Sequence, residues 1–257
     1  MVRETPEEWE ARRFFESLGY VVTRLSESSD FQRADYSVEN GVDHFLAEVK
    51  SRGPDEDFEQ RMERFGRAQS QETIGRSNSI SKQITGAAGQ LAATAAENPS
   101  LLRVIVLVAA GDHPELQVDQ FQATLYGKVD LLRADCAGVL AVPCFYFTFS
   151  DFFRLPDIDA AVVLAPAGAR LCINSFAGRR DRLGESRLHK ELSAAGAVTD
   201  PEAQERLGNA FLADDTDIDR RDEAAMLRYV RSKYGHPELL TFLPTIFRAA
   251  VRIQHQS

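Results

Sequence analysis

Three charged residues near the start of the chain have the types and spacing that could bind a divalent cation and act on a phosphate group. They are Asp35, Glu48 and Lys50, and they lie in a stretch of alternating apolar and polar residues. Mg²⁺ in proteins takes one or two carboxylates together with water and phosphate oxygens. A lysine beside such carboxylates can position a water molecule or stabilise charge that develops on a phosphate. The three residues therefore indicate a candidate metal-dependent site.

A predicted hairpin brings these side chains to one face of a sheet. Asn40-Gly41 is a strong signal for a two-residue turn between antiparallel strands. This turn sets the pairs Glu39 with Val42, Asp35 with Leu46, and Arg33 with Glu48. Side chains alternate between the two faces of a strand, so Asp35, Glu48 and Lys50 share a face. Their mutual repulsion and burial are costly, and a divalent cation would offset that cost.

Helices and one apolar strand are predicted around the hairpin. Residues 6–18 begin with a capping Thr5 and end at Gly19, which predicts a helix. Residues 80–96 have apolar side chains at helical spacing. Residues 101–110 form a nearly continuous apolar run, typical of a central strand covered on both faces. This order predicts an α/β fold with a mixed central sheet flanked by helices.

The hairpin resembles the PD-(D/E)xK nuclease superfamily, in which an acidic residue on one core strand precedes a (D/E)-x-K motif on the next. Asp35 and Glu48-Val49-Lys50 match these positions, and Ala34 stands where the proline would be. The resemblance implies a restriction-endonuclease-like core. It further implies that Asp35, Glu48 and the carbonyl of Val49 bind Mg²⁺ or Mn²⁺, with Lys50 as the catalytic lysine.

The resemblance covers residues 6–110 and extends to the first helix. Many members carry a glutamate there, and in the Holliday-junction-resolvase-like branch an alanine follows three residues later, before a Gly-aromatic pair. Glu8, Ala11 and Gly19-Tyr20 fit this pattern, and Glu10 is a less favoured substitute. The resemblance therefore implies that Glu8 is a further carboxylate of the site.

The helix after the hairpin carries further candidates. Many members place a glutamine or lysine on it, which implies that Gln83 orients substrate or water. Lys82 and Gln90 are candidate substrate-binding residues on the same helix, together with Arg33 and Arg52 on the hairpin.

The residues alone leave several questions open. Glu48 and Lys50 could form a solvated pair on an edge strand, and Asp30 or Asp43 could replace Asp35 as a ligand. The basic run 178–182 could contact phosphate or form a solvated turn. The whole chain could be a non-catalytic module that binds nucleic acid or protein.

Composition limits the class of protein. The chain has 257 residues, a net charge of -9 and three cysteines without metal-binding spacing. We expect a cytoplasmic protein without a membrane span. Its expected substrate is DNA. RNA is the alternative, because phosphate contacts dominate the binding of both nucleic acids. Analogy at the level of fold suggests a role in bacterial defence, restriction or repair.

The domain organisation is predicted in two parts. Residues 1–177 form the nuclease-like core, with residues 51–79 as an inserted exposed loop. Residues 178–257 form a helical C-terminal segment, which we expect to mediate a homo-oligomer or a protein partner. Its predicted helices are 187–195, 200–212, 222–234 and 237–254.

Overall fold

A computed structural model of the chain describes residues 4–26, 33–53, 60, 64–65, 67–135 and 138–251. The α-helices are α1 (Pro6–Ser17), α2 (Asn78–Thr94), α3 (Pro114–Tyr126), α4 (Asp151–Arg154), α5 (Arg180–Glu185), α6 (Arg187–Ala194), α7 (Pro201–Arg206) and α8 (Glu223–Tyr234). The strands are β1 (Val21–Arg24), β2 (Tyr36–Glu39), β3 (His44–Arg52), β4 (Arg67–Thr73), β5 (Leu102–Ala109), β6 (Val129–Asp135), β7 (Gly138–Phe145), β8 (Ala160–Ala165), β9 (Gly168–Ile173), β10 (Val198–Thr199), β11 (Phe211–Leu212), β12 (Leu240–Phe242) and β13 (Thr245–Val251).

A seven-stranded mixed sheet is the centre of the molecule, in the order β1-β2-β3-β5-β8-β9-β10. Strands β3, β5 and β8 are parallel, whereas β2 runs antiparallel to β3. Every residue of β5 is buried, as its apolar sequence predicts for a central strand. The predicted α/β class with a mixed sheet flanked by helices is therefore confirmed.

Two apolar layers cover the two faces of this sheet. On one face, Phe45 and Ala47 of β3 pack with Phe15 of α1 and Leu188 of α6. On the other face, Leu46 packs in the layer formed with α2 and α3. Because successive strand residues point to opposite faces, Glu48 and Lys50 project on the same side as Leu46, towards α2.

A smaller sheet and a two-stranded ribbon complete the described fold. The smaller sheet has the order β11-β7-β6-β12 and packs on α8 through its own apolar cluster. The ribbon pairs β4 with β13 in antiparallel register. Strand β10 pairs with β9 in the main sheet, so residues on both sides of position 178 contribute to the same sheet.

The hairpin connection is longer than the predicted two-residue turn. Glu39 pairs with His44 instead of Val42, and the side chain of Asn40 accepts the backbone N–H groups of Val42 and Asp43. An asparagine that bonds backbone groups two and three residues on stabilises such a wider turn. The register is therefore shifted by two residues, which leaves every side chain on its predicted face because the period of a strand is two.

Two predicted elements are wrong. Residues 67–73, expected in an exposed loop, form β4. Residues 237–254, expected as a helix, contain β12 and β13 up to residue 251. Pro244 explains the second error, since a proline disfavours helical geometry in the residue before it and lacks the N–H that a helix interior needs. Helices α6, α7 and α8 lie within three of the predicted C-terminal helices. The predicted helix 200–212 is too long, because α7 ends at Arg206 and residues 211–212 form β11.

Candidate metal-dependent active site

Asp35 and Glu48 lie directly across from each other. Extending the β2–β3 register by one residue places Asp35 opposite Glu48. The backbone N–H of Asp35 donates to Oε2 of Glu48 over 3.1 Å, and the backbone N–H of Val49 donates to Oδ2 of Asp35 over 2.8 Å. Each acidic side chain is thus fixed by the backbone of the opposite strand.

Glu48 is an unusually placed carboxylate. Glu48 is only 1 % exposed, and its strand, β3, lies between β2 and β5 in the sheet. Burial and then the charge of Asp35 raise the pKa of Glu48 to about 7, although Lys50 acts in the opposite direction. The interpretation of Glu48 and Lys50 as a solvated pair on an edge strand is therefore wrong. A buried carboxylate beside a second acidic group is costly for folding and typical of functional sites.

Lys50 completes the cluster. Its Nζ lies 2.6 Å from Oε1 of Glu48 and 3.0 Å from Oε1 of Gln90, and its side chain is 27 % exposed. Two of the three ammonium protons therefore have defined directions. The partial exposure leaves the amine within reach of a molecule that approaches from solvent.

These residues fit a hard divalent cation. Each carboxylate carries about four lone-pair sites, so the hydrogen bonds above leave further positions for ligation. Burial and then repulsion from Asp35 keep the pKa of Glu48 high, and a bound cation would offset both by stabilising the ionised carboxylate. No group of three or more His, Cys, Asp or Glu side chains among the described residues could hold a metal. The remaining ligands would then be a backbone carbonyl such as that of Val49, water or a phosphate oxygen, as Mg²⁺ prefers.

Helix α2 carries both glutamines that were predicted to take part in the site. Gln90 accepts from Lys50 and donates through Nε2 to the carbonyl of Arg33 over 3.3 Å. Gln83 donates to the carbonyl of Ser51 over 3.3 Å, and its buried Oε1 has no partner within the described part of the chain. Both glutamines therefore face β3, and the buried Oε1 of Gln83 keeps a lone pair that a water molecule of the site could use.

The three basic substrate-binding candidates differ in their environments. Arg52 is half-buried and donates to Gln120 of α3, while Arg33 and Lys82 are exposed. Arg33 precedes Asp35 by two residues, so it lies beside the acidic pair. The exposed Arg33 and Lys82 are accessible to a substrate, whereas the half-buried Arg52 is bonded to Gln120.

Glu8 is not brought to Asp35 and Glu48. Its carboxylate accepts the backbone N–H of Thr5 in a capping box and lies 3.1 Å from Arg24. Helix α1 packs on the face of the sheet opposite to Glu48. The predicted further carboxylate is therefore a cap of α1, because the sequence of an amphipathic helix does not indicate which face of a sheet it covers.

Asp43 and the basic run 178–182 have partners within the fold. Asp43 is buried and accepts from the hydroxyl of Tyr20 and the backbone N–H of Arg187, each over 2.7 Å, so it joins α6 to the hairpin. In the basic run, Arg179 pairs with the buried Asp159, and Arg180 pairs with Asp200. Asp30, the second possible substitute for Asp35, lies outside the described residues.

Thr94 is the residue at this site that the sequence did not indicate. Its hydroxyl accepts the backbone N–H of Ala34 over 2.7 Å and donates to the carbonyl of Gln90 over 2.8 Å. The spacing of Gln90 and Thr94, one helical turn apart, is the only sequence signal for this contact. That signal is shared by many helices, and it becomes informative only once α2 is placed over β2.

Comparison with protein-family models, with curated proteins and with solved structures gave no match. Among the described helices, none has the length and apolar character needed to cross a bilayer. The functional argument therefore depends on the residues and contacts of this chain.

Proposed function

We propose that this protein is a divalent-metal-dependent nuclease that hydrolyses phosphodiester bonds, with DNA as its substrate. The observation that carries the proposal is the pairing of the half-buried Asp35 with the buried Glu48, with Lys50 at 2.6 Å from Glu48. A structural ion pair would need one acid and one base. The second acid accepts the backbone N–H of Val49, but its negative charge beside Glu48 adds repulsion, which supports a site built for a cation.

Each residue has a separate role in the proposed site. Asp35 and Glu48 would hold the cation, with the carbonyl of Val49 as a further ligand. When bound, Mg²⁺ or Mn²⁺ supplies Lewis acidity toward a phosphate oxygen and lowers the pKa of water. Lys50 directs its ammonium at the phosphate and stabilises the charge that develops there. Gln83 presents an acceptor to a water molecule of the site.

The acidic net charge of the chain indicates that nucleic acid would be bound at a local site and not across a broad basic surface. At a net charge of -9, the protein as a whole repels nucleic acid, so binding would depend on individual exposed cations such as Arg33 and Lys82. The bound metal adds positive charge at the same place. We place the proposed reaction in the cytoplasm, where a sparse set of cysteines without metal-binding spacing stays reduced.

A cleavage assay tests the proposal. Purified protein is incubated with plasmid DNA, single-stranded DNA and RNA in Mg²⁺, in Mn²⁺ and in EDTA. We expect cleavage with either metal and none in EDTA, with DNA cut faster than RNA. Faster cleavage of RNA would make the protein a ribonuclease, and full activity in EDTA would exclude the metal-dependent mechanism. Binding without cleavage under every metal would identify a non-catalytic module.

A further inference from the structure

The chain that enters β2 is held by side chains of α2. The backbone carbonyl of Arg33 accepts from the side chain of Gln90, and the backbone N–H of Ala34 donates to the hydroxyl of Thr94. The next N–H, that of Asp35, donates to the Glu48 carboxylate. Side chains therefore satisfy one main-chain polar group in each of three consecutive residues, Arg33, Ala34 and the proposed metal ligand Asp35.

The Thr94 hydroxyl has a defined direction. A hydroxyl has one proton to donate, and here it is directed to the carbonyl of Gln90 over 2.8 Å. A lone pair of the same oxygen is then directed at the N–H of Ala34, 2.7 Å away. Because Ala34 is buried against α2, loss of the hydroxyl would leave this N–H without a replacement from solvent.

One turn of α2 thereby contacts both sides of the acidic pair. Thr94 fixes the segment that carries Asp35, and Gln90 accepts a hydrogen bond from Lys50. Residues four apart lie on the same side of a helix, so the two contacts come from one rigid surface. The separation between the metal carboxylate and the lysine is thus set by α2 as well as by the sheet.

We propose that Thr94 is a positioning residue for the metal site and for the reaction proposed above, on which this inference partly rests. It acts through the Ala34 N–H by holding the carboxylate of Asp35 against Glu48. Partners that orient metal ligands in this way typically change metal affinity or activity by about tenfold to a hundredfold when they are removed.

The test compares Thr94→Val with Thr85→Val. Valine keeps the β-branched shape and replaces only the hydroxyl, with a methyl group of similar size. Thr85 is the matched control, because it lies on the same helix and donates to the carbonyl four residues earlier over the same 2.8 Å, but is exposed. Thr94→Ser retains the hydroxyl and serves as the rescue variant. All variants are measured for thermal stability, Mn²⁺ affinity by calorimetry, and kcat and KM on DNA.

We expect Thr94→Val to lower Mn²⁺ affinity and kcat by about tenfold or more, with little change in KM. Thr85→Val should behave like the wild type, and Thr94→Ser should recover most of both quantities. Equal Mn²⁺ affinity and kcat in Thr94→Val and Thr85→Val would overturn the proposal. If Thr94→Val does not fold, Thr94→Ala replaces it, and failure of both to fold would assign the hydroxyl to stability instead.

The Mn²⁺ measurement separates this proposal from the proposed function. A wild-type protein that binds Mn²⁺ but cleaves no nucleic acid would contradict the nuclease assignment. The affinity of Thr94→Val would still decide whether Thr94 positions the carboxylates. A wild-type protein that binds no Mn²⁺ would overturn both.

Discussion

The backbone N–H of Asp35 donates to the carboxylate of Glu48 over 3.1 Å, across the boundary between two neighbouring strands. Two acidic residues that are 13 positions apart in sequence are thereby placed side by side, and one of them, Glu48, is buried. The arrangement is unfavourable for an empty structural core and favourable for a bound cation. This relationship leads to predictions about stability, metal binding and catalysis.

The first prediction concerns pH. Because the folded-state pKa of Glu48 is raised to about 7 from an ordinary value of 4.5, the folded protein binds this proton more tightly than the unfolded chain does. In EDTA, the stabilising effect of the proton is fully present below pH 4.5 and is lost as the pH rises through about 7. The loss amounts to about 3 kcal/mol in the free energy of unfolding.

Glu48→Gln removes this ionisation and should be more stable than the wild type at pH 8 in EDTA, with the difference vanishing near pH 4.5. Glu39→Gln, which changes an exposed carboxylate on the neighbouring strand, is the control. Urea denaturation across the pH range measures the effect. A difference between wild type and Glu48→Gln that stays constant across this range would contradict the prediction.

The second prediction separates two aspartates. Asp35→Asn should reduce Mn²⁺ affinity by about tenfold or more, because a charged ligand is lost. Asp43→Asn should leave Mn²⁺ binding unchanged and lower the free energy of unfolding by about 1–3 kcal/mol, since the hydroxyl of Tyr20 and the backbone N–H of Arg187 lose an ionised acceptor. Calorimetric titration and urea denaturation of both variants check this. Loss of Mn²⁺ binding in Asp43→Asn would reverse the assignment.

The third prediction concerns the part of the chain after position 178. Leu188 is fully buried in the apolar layer that contains Phe45 and Phe15, so Leu188→Ala should cost about 2–5 kcal/mol in the free energy of unfolding. Leu207→Ala, at a residue that is 74 % exposed, should cost about 0.5 kcal/mol or less. Similar values for the two variants would show that α6 is not part of the core.

The sequence predicts the sheet well where apolar and polar residues alternate along a strand, or where the whole strand is apolar. The apolar run in β5 indicates a central strand, and the shared face of Asp35, Glu48 and Lys50 follows from alternation alone. That face tolerates the two-residue error in register, because a shift of two leaves each side chain on its own side. Residue types and the alternation of side chains along a strand were therefore sufficient to predict that Asp35, Glu48 and Lys50 share one face of the sheet.

Contacts between distant segments could not be predicted in the same way. The Ala34–Thr94 hydrogen bond joins residues 60 positions apart, and β4 pairs with a strand near the other end of the chain. Neither contact can be predicted from the spacing of apolar residues within one segment. The placement of Glu8 failed for a related reason, since an amphipathic helix has one apolar face but can cover either side of a sheet.

Lys50 offers the most direct test of the nuclease assignment. Lys50→Ala removes the ammonium and keeps both carboxylates, and Lys50→Arg replaces it with a larger planar group that differs in solvation. Lys190→Ala, at an exposed lysine on α6, is the control. The measurement is the single-turnover cleavage rate in Mg²⁺, beside the affinity for the same DNA in Ca²⁺ and the thermal stability. We predict that both Lys50 variants cleave about a hundredfold more slowly, with DNA affinity nearly unchanged, because transition-state charge stabilisation is lost while most phosphate contacts remain. Both variants should fold, and Lys50→Ala should have a lower thermal stability because the buried Glu48 loses its partner. Cleavage by both variants at the rate of the wild type and of Lys190→Ala would contradict the account.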